Sequence, residues 1–221
     1  MKQKLTRELV ALRVARELKD GMYVNLGFGL PTLVSNFMPP TADIVLHSEQ
    51  GILGYGPIIR EPERWDIDLV NASAQPVELA PGSCFFDFAA SFAMIRGHHL
   101  DVTVLGAYQV SEKGDLANWR LKDQQTGGIG GGMELAIGAK RVIVAMEHCS
   151  KDGKPKIVHV CEYPLTASAC VDLIVTDLAV IEVTPDGLVM REIAPGWTPG
   201  EIQNMTEPKL VVADDLEEMQ F

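Results

Sequence analysis

Met22-Tyr23-Val24-Asn25-Leu26-Gly27-Phe28-Gly29-Leu30-Pro31-Thr32 passes from an apolar run into a glycine turn and then a proline. The run reads as a buried strand, and Pro31 suits the first turn of a helix reaching about Phe37. A strand feeding a helix in this way is the building unit of α/β sheets. The strand signal repeats at Ile44–Leu46, Val102–Leu105, Val142–Met146, Leu173–Thr176 and Ala179–Val183. Several of these runs are apolar on consecutive residues, as parallel strands are when helices cover both faces. Helices are expected over residues 3–19, where Asp20-Gly21 ends the pattern, and over Cys84–Arg96, Gly132–Ala139 and Thr166–Cys170. Thr184-Pro185-Asp186-Gly187 is a turn signal that joins Val180–Val183 to Leu188–Ile193 as a β-hairpin. The expected fold is one α/β domain over residues 1–221: an open, mostly parallel sheet covered by helices, with an added β-hairpin.

Composition narrows the function. The chain has 221 residues, 47% apolar and 22% charged, which suits a globular protein with a full core. Its formal charge of −11 argues against non-specific nucleic-acid binding and disfavours holding an anionic ligand unaided. Cys84, Cys149, Cys161 and Cys170 have no C-x-x-C spacing and read as small buried thiols in a reducing compartment. Lys2, Lys4, Arg7 and Glu8 break up the N-terminal apolar residues, so no signal-peptide core is visible. No run is long enough to span a membrane. The expected location is the cytoplasm.

Three segments carry candidate chemistry. Leu46-His47-Ser48-Glu49-Gln50-Gly51 leads from a strand into a glycine-rich stretch, with Gly54 and Gly56 following. Ligands gather at the carboxyl ends of strands in open α/β sheets, and Gly51 beside Glu49 would let a substrate approach closely. His47 lies two residues before Glu49 and would share its strand face. The Gly27-Phe28-Gly29 turn is a poor dinucleotide fingerprint, because Thr32 replaces the third glycine and Pro31 intrudes. Gly29 instead suits a turn that receives part of an anionic or carbonyl ligand. Gly127-Gly128-Ile129-Gly130-Gly131-Gly132-Met133-Glu134 is not a P-loop, yet its amides could converge on an oxyanion. His98-His99 has no metal-ligand spacing, and no metal site is expected. Asn71 and Asn118 are polar residues at strand or loop ends.

Taken in order, these segments resemble the B subunit of the two-subunit 3-oxoacid, or class I, CoA-transferases. The resemblance runs from about Lys2 to Ile202. It is carried by Val24–Thr32, by Ser48-Glu49-Gln50-Gly51-Ile52-Leu53-Gly54-Tyr55-Gly56-Pro57 and by Ser91–His98. Further along, Gly114-Asp115-Leu116-Ala117-Asn118-Trp119, Met146-Glu147-His148, Tyr163–Thr166 and Thr176–Val180 continue it. It implies that Glu49 is a nucleophile that forms a glutamyl–CoA thioester, with ping-pong kinetics. It further implies that the Gly130-Gly131 amides hold oxyanions, Gly131 above all, and that Asn25 and Asn118 hold CoA or the acyl carbonyl. Coenzyme A would be a substrate, with no tightly bound cofactor. An A subunit would complete the site and supply much of the CoA pocket.

The chain departs from the family pattern at Gln50, where Asn is usual, and at Ala74, where several members carry Lys. The glycine loop and its acidic lead-in, Asp123-Gln124-Gln125, also differ. Two alternatives stay open: an acyl-CoA hydrolase on the same fold, and a non-catalytic binding or regulatory subunit with a relict Glu49.

Overall fold

The computed structural model describes residues 2–39, 41–122 and 127–221. In chain order, α1 is Arg7–Ala15, β1 is Tyr23–Leu26, β2 is Val45–Ser48, β3 is Ile52–Ile58 and β4 is Val77–Phe85. Then follow α2 (Phe88–Arg96), β5 (Val102–Leu105), β6 (Gln109–Ser111), β7 (Leu116–Ala117) and α3 (Gly132–Gly138). The remainder holds β8 (Arg141–Met146), β9 (Ile157–Val158), β10 (Leu173–Thr176), β11 (Ala179–Thr184), β12 (Gly187–Ile193), α4 (Pro199–Gln203) and β13 (Leu210–Glu218). The helix expected after Pro31 forms as a 3-10 helix over Leu30–Phe37.

The main sheet has ten strands in the order β13-β12-β11-β10-β8-β5-β1-β2-β3-β4. Its centre, β10-β8-β5-β1-β2, is parallel throughout, and β11–β12 is the antiparallel hairpin read from Thr184–Gly187. Because β1 lies between β2 and β5, the chain crosses to opposite sides of β1 in successive connections. That reversal opens a crevice at the carboxyl ends of the strands. Both faces of the sheet are covered, which accounts for the unbroken apolar runs. Val142, Val144 and Met146 of β8 join one core with Ile95 of α2 and Leu135 of α3. Ile143 and Ala145 join the other core with Val10 and Val14 of α1 and Val34 of the 3-10 helix.

Local chemistry sets the element boundaries. Thr6 accepts the Leu9 N–H and starts α1 there, later than the expected residue 3. Arg13, buried in α1, donates to both Glu17 and Glu192 and so ties the helix to β12. The helix expected from Cys84 begins instead at Phe88. Cys84 and Phe85 pair with β3, and Asp87 caps α2 by accepting the Ala90 N–H at 2.8 Å. Cys84 is accordingly exposed on β4, unlike the buried thiol expected there.

No helix forms over Thr166–Cys170. The Thr166 and Ala167 amides both donate to the Leu116 carbonyl, and the Cys170 amide donates to Gly114. With its backbone docked on β7 in this way, the segment has no i to i−4 ladder to build. No helix of the described residues is long and apolar enough to cross a membrane.

Candidate active site

Glu49 sits just beyond the carboxyl end of β2, in the tight turn to β3. The turn is closed by the Gly51 amide donating to the Ser48 carbonyl at 3.0 Å. Gly51 has φ +118°, and a Cβ there would lie 2.2 Å from the Phe86 carbonyl oxygen, so only glycine fits. Gln50 clamps the turn from the other side: its Oε1 accepts from Ser48 Oγ and its Nε2 donates to the Val70 carbonyl, both at 2.7 Å. The extra methylene of Gln50 thus reaches a backbone acceptor on the loop before Asn71.

Behind the turn lies a buried polar row. Asn25 stands beside His47 on β2 and Thr103 on β5 in the parallel register, and all three side chains share a sheet face. Asn25 Nδ2 donates to the His47 carbonyl at 3.2 Å and to His47 Nδ1 at 3.1 Å. That leaves His47 Nε2 to carry the proton and donate to Ser91 Oγ at 3.2 Å. The imidazole is also stacked on Phe86 and fully buried. Burial lowers its pKa from the ordinary 6.5 to about 4, so the neutral form holds the network together. His148, equally buried, is lowered to about 4 by the same cause.

A group with its folded pKa depressed in this way leaves the unfolded chain to take up protons first as pH falls. Stability is therefore expected to be complete above pH 6.5 and to fall between pH 6.5 and 4, by about 3 kcal/mol per histidine. Urea midpoints measured across that range check this, and His47→Gln should flatten the curve by its share.

The glycine loop arrives at Glu49 from the other side. The Gly131 amide, at the N-terminus of α3, donates to Glu49 Oε1 at 3.3 Å. Gly130 has φ +49°, and a Cβ on it would lie 3.3 Å from the same oxygen. Glu49 is half-buried, and its pKa is raised above the ordinary 4.5 by burial, opposed by the Gly131 hydrogen bond, with the nearby charge of Glu134 adding to the rise. Loss of hydration makes the carboxylate more basic and a better nucleophile, while one oriented donor is already in place.

An open cleft of about 1460 Å³ runs along the carboxyl ends of β1, β2, β5 and β8. Of the residues singled out from sequence, Asn25, Glu49, Asn118, Gly130 and Gly131 line it together. Asn118 is fixed by donating to the Gly106 carbonyl at 3.1 Å and accepting from Thr166 Oγ1 at 2.6 Å. Gly29 and Gly51 shape turns beside the cleft and do not line it. The Gly29 amide donates to Ser73 Oγ at 2.9 Å, so it is taken up within the fold.

Sequence reading missed the aromatic wall of Phe28, Tyr108, Trp119 and Tyr163, and the basic residues Lys4, Arg7, Lys151 and Lys156. Phe28, Tyr108 and Trp119 stand just past the ends of β1, β5 and β7, a position that could have flagged them, whereas Lys4 and Arg7 precede every strand and carry no such signal. Asp123, Gln124 and Gln125 lie outside the described residues. Among the described residues no cluster of acidic, cysteine or histidine side chains could hold a metal ion.

Known proteins share this architecture and sequence. The fold is similar to an acyl-CoA transferase from Escherichia coli O157:H7, with TM-score 0.77 and 22% identity over 100% of this chain and 45% of that one. It is also similar to glutaconate coenzyme A-transferase from Acidaminococcus fermentans, with TM-score 0.71 and 17% identity over 98% and 89%. In sequence, the chain is 46% identical to the B subunit of 3-oxoadipate CoA-transferase from Acinetobacter baylyi, over 95% of this chain and 97% of that protein. It is 46% identical to the beta subunit of acetate CoA-transferase from E. coli K12, covering 95% of both. Against the human mitochondrial succinyl-CoA:3-ketoacid coenzyme A transferase 2 it is 47% identical over 99% of this chain, but spans only 43% of that protein. The family model described as "Coenzyme A transferase" matches residues 7–204, a span that contains Glu49, the glycine loop and every strand of the parallel centre. With near full-length identity to subunits of such enzymes, the chain belongs to the coenzyme A transferase family.

Proposed function

We propose that this chain is the Glu-bearing B subunit of a 3-oxoacid CoA-transferase that moves CoA from a short acyl-CoA, such as succinyl-CoA, to a 3-oxo acid. The observation that carries the reading is the half-buried Glu49 carboxylate held by the Gly131 amide at 3.3 Å in a cleft at the strand ends. Glu49 Oε2 attacks the thioester carbonyl, and expulsion of CoA thiolate leaves an acyl–glutamyl anhydride. The thiolate then adds to Glu49 Cδ, placing negative charge on Oε1, the atom that faces the Gly131 N–H. Collapse releases the first acid as its carboxylate and leaves the glutamyl–CoA thioester. A second carboxylate reverses these steps.

The amide at Gly131 thus serves the steps in which Glu49 itself is the electrophile, and it is in place before reaction begins. Relatives named for 3-oxoadipate lie at 46–49% identity, those named for acetate at 46–47% and the human succinyl-CoA:3-ketoacid enzyme at 47%, a spread too narrow to choose the acceptor acid.

A partner A subunit, forming a heterodimer or heterotetramer, completes the site in this reading. The relatives' designation as subunits supports it, as does the unpaired outer edge of β4, where Leu79, Phe85 and nearby Phe88 are exposed. The steps as written use no metal or tightly bound cofactor, and the cytoplasm suits a substrate that is a soluble thioester.

The test is to assemble the chain with its partner, add succinyl-CoA or acetoacetyl-CoA without acceptor, and treat with borohydride. Peptide mass mapping should find Glu49 reduced to the alcohol only when acyl-CoA was present. An unmodified Glu49 in a complex that binds CoA refutes the reading. If free acid and free CoA accumulate well beyond one equivalent per Glu49 without any acceptor acid, the enzyme is a hydrolase instead.

A further inference from the structure

The cleft does not end at the glycine loop. It continues past β1 and β5 to the ends of β8 and β10, where Lys4, Lys151 and Lys156 gather, with Arg7 on the way. Along its length it is lined by four basic residues and three acidic ones, whereas the whole chain has 19 basic and 30 acidic. The cleft therefore reverses the sign of the molecule that carries it.

Two of the acids, Glu147 and Asp177, stand among these three lysines and neutralise them only in part. Asp177 is buried, and its Oδ1 accepts the His148 amide at 2.6 Å, so it serves the fold. Glu147 is 3.8 Å from Lys156 Nζ, beyond hydrogen-bond reach, and points largely into solvent. Lys156 is the telling residue. Its side chain is only 13% exposed, yet its ammonium makes no hydrogen bond among the described residues. Burial holds its pKa below the usual lysine range, against the opposing pull of Glu147 and Asp177.

Lys4 is anchored over the end of β10 by the Leu5 amide, which donates to the Asp177 carbonyl at 3.1 Å, and its own ion pair to Asp177 is a long 3.4 Å. Lys151 lies in a turn closed by the Ser150 amide donating to the Lys154 carbonyl at 2.8 Å, and it has no ion pair among the described residues.

Distance selects the ligand. The basic end is three to four strands from β2, which at ~4.8 Å per strand is ~14–19 Å from Glu49. A short carboxylic acid bound covalently at Glu49 cannot reach it. A pantetheine arm is comparable to four or five extended residues, ~15 Å at the extended-chain rise, and can. The wall between is apolar and aromatic, with Phe28, Leu105 and Tyr108 facing the space such an arm would fill.

Resting on the transferase reading above, we infer that Lys4, Lys151 and Lys156 bind the phosphates of the CoA nucleotide, so that this chain itself holds both ends of the thioester substrate. The partner subunit then need not supply the whole CoA pocket.

The experiment uses the enzyme assembled with its partner, wild type and with Lys156→Met or Lys151→Ala. The quantity measured is kcat/KM for an acyl-CoA divided by kcat/KM for the matching acyl-pantetheine, which lacks the phosphates. For Lys156→Met this ratio should fall about 10- to 100-fold, the worth of a charge-assisted hydrogen bond, and less for the more exposed Lys151→Ala. Loss of activity on both substrates in equal proportion would make the lysines structural and overturn the site, as would an unaltered ratio in both variants. If neither thioester is turned over by the wild-type assembly, the transferase reading fails by itself. Calorimetric titration with CoA and with pantetheine then decides the site: a lysine-dependent preference for CoA supports it, and equal affinities overturn it.

Discussion

Glu49→Gln, assembled with the partner subunit, should lose on the order of 10⁴-fold or more in turnover while keeping its fold. The amide oxygen can still accept the Gly131 N–H, so the turn and the glycine loop have no reason to move apart. What disappears is the anionic oxygen that opens the thioester, and no neighbour among the described residues is placed to replace it. Glu134 is engaged by Arg96 at 2.9 Å. The other carboxylates of the cleft, Glu147 and Asp177, lie beyond β8 and β10 at the far end. Steady-state rates with and without acceptor acid, beside a thermal melt, check both halves of the statement. Turnover equal to wild type would make Glu49 a relict and give the chain a binding or regulatory role.

Gly131→Ala should cost about 100- to 1000-fold in kcat with little change in stability, the effect expected when one oxyanion donor is misplaced. The backbone at Gly131 has φ −86° and ψ 11°, a conformation alanine adopts without strain. A Cβ there would nevertheless lie 2.3 Å from Glu49 Oε2, 3.0 Å from Cδ and 3.2 Å from Phe92 Cζ. The end of a glutamate side chain can swing away from such a contact, so the fold survives and the carboxylate is displaced instead. Single-turnover acylation of Glu49 and the urea midpoint should therefore separate cleanly, the first falling and the second holding. A variant that unfolds early would place the demand for glycine in packing, not in catalysis.

The parallel core of the fold was legible because both its faces are covered. Val142–Met146 and Leu173–Thr176 are apolar at every position or nearly so, a pattern that a half-exposed strand does not show. The outer strands were not. Residues 52–58 read as a glycine-rich turn, yet they form β3, with Gly54 at φ +85° beside an irregularity in its pairing to β4. β4 itself, exposed along most of its length, carries no alternation to betray it. A helix was expected over Thr166–Cys170 between two strands, but the Thr166, Ala167 and Cys170 amides are committed to Leu116 and Gly114, a tertiary demand that local sequence cannot register.

At the site, the nearness of Glu49 to residues 130 and 131 came from resemblance rather than from spacing. More than eighty positions of chain separate them, and only the sheet order brings β2 and the start of α3 to one crevice. That the Gly29 amide is taken up by Ser73, that Gly51 alone fits against Phe86, and that Asn25 fixes the His47 tautomer emerge only in the folded arrangement.

The bare outer edge of β4 has a consequence for the life of the chain before assembly. Apart from the Val77 amide, which donates to the Leu69 carbonyl, the outward-facing amides and carbonyls of this nine-residue strand have no strand partner among the described residues. With Phe85 at its end, they offer a template on which an extended segment can lay itself, a second copy included. A cell making this chain in excess of its partner would accumulate a species prone to stick to itself. On the two-subunit reading, matched supply of the two chains would then serve solubility as much as catalysis.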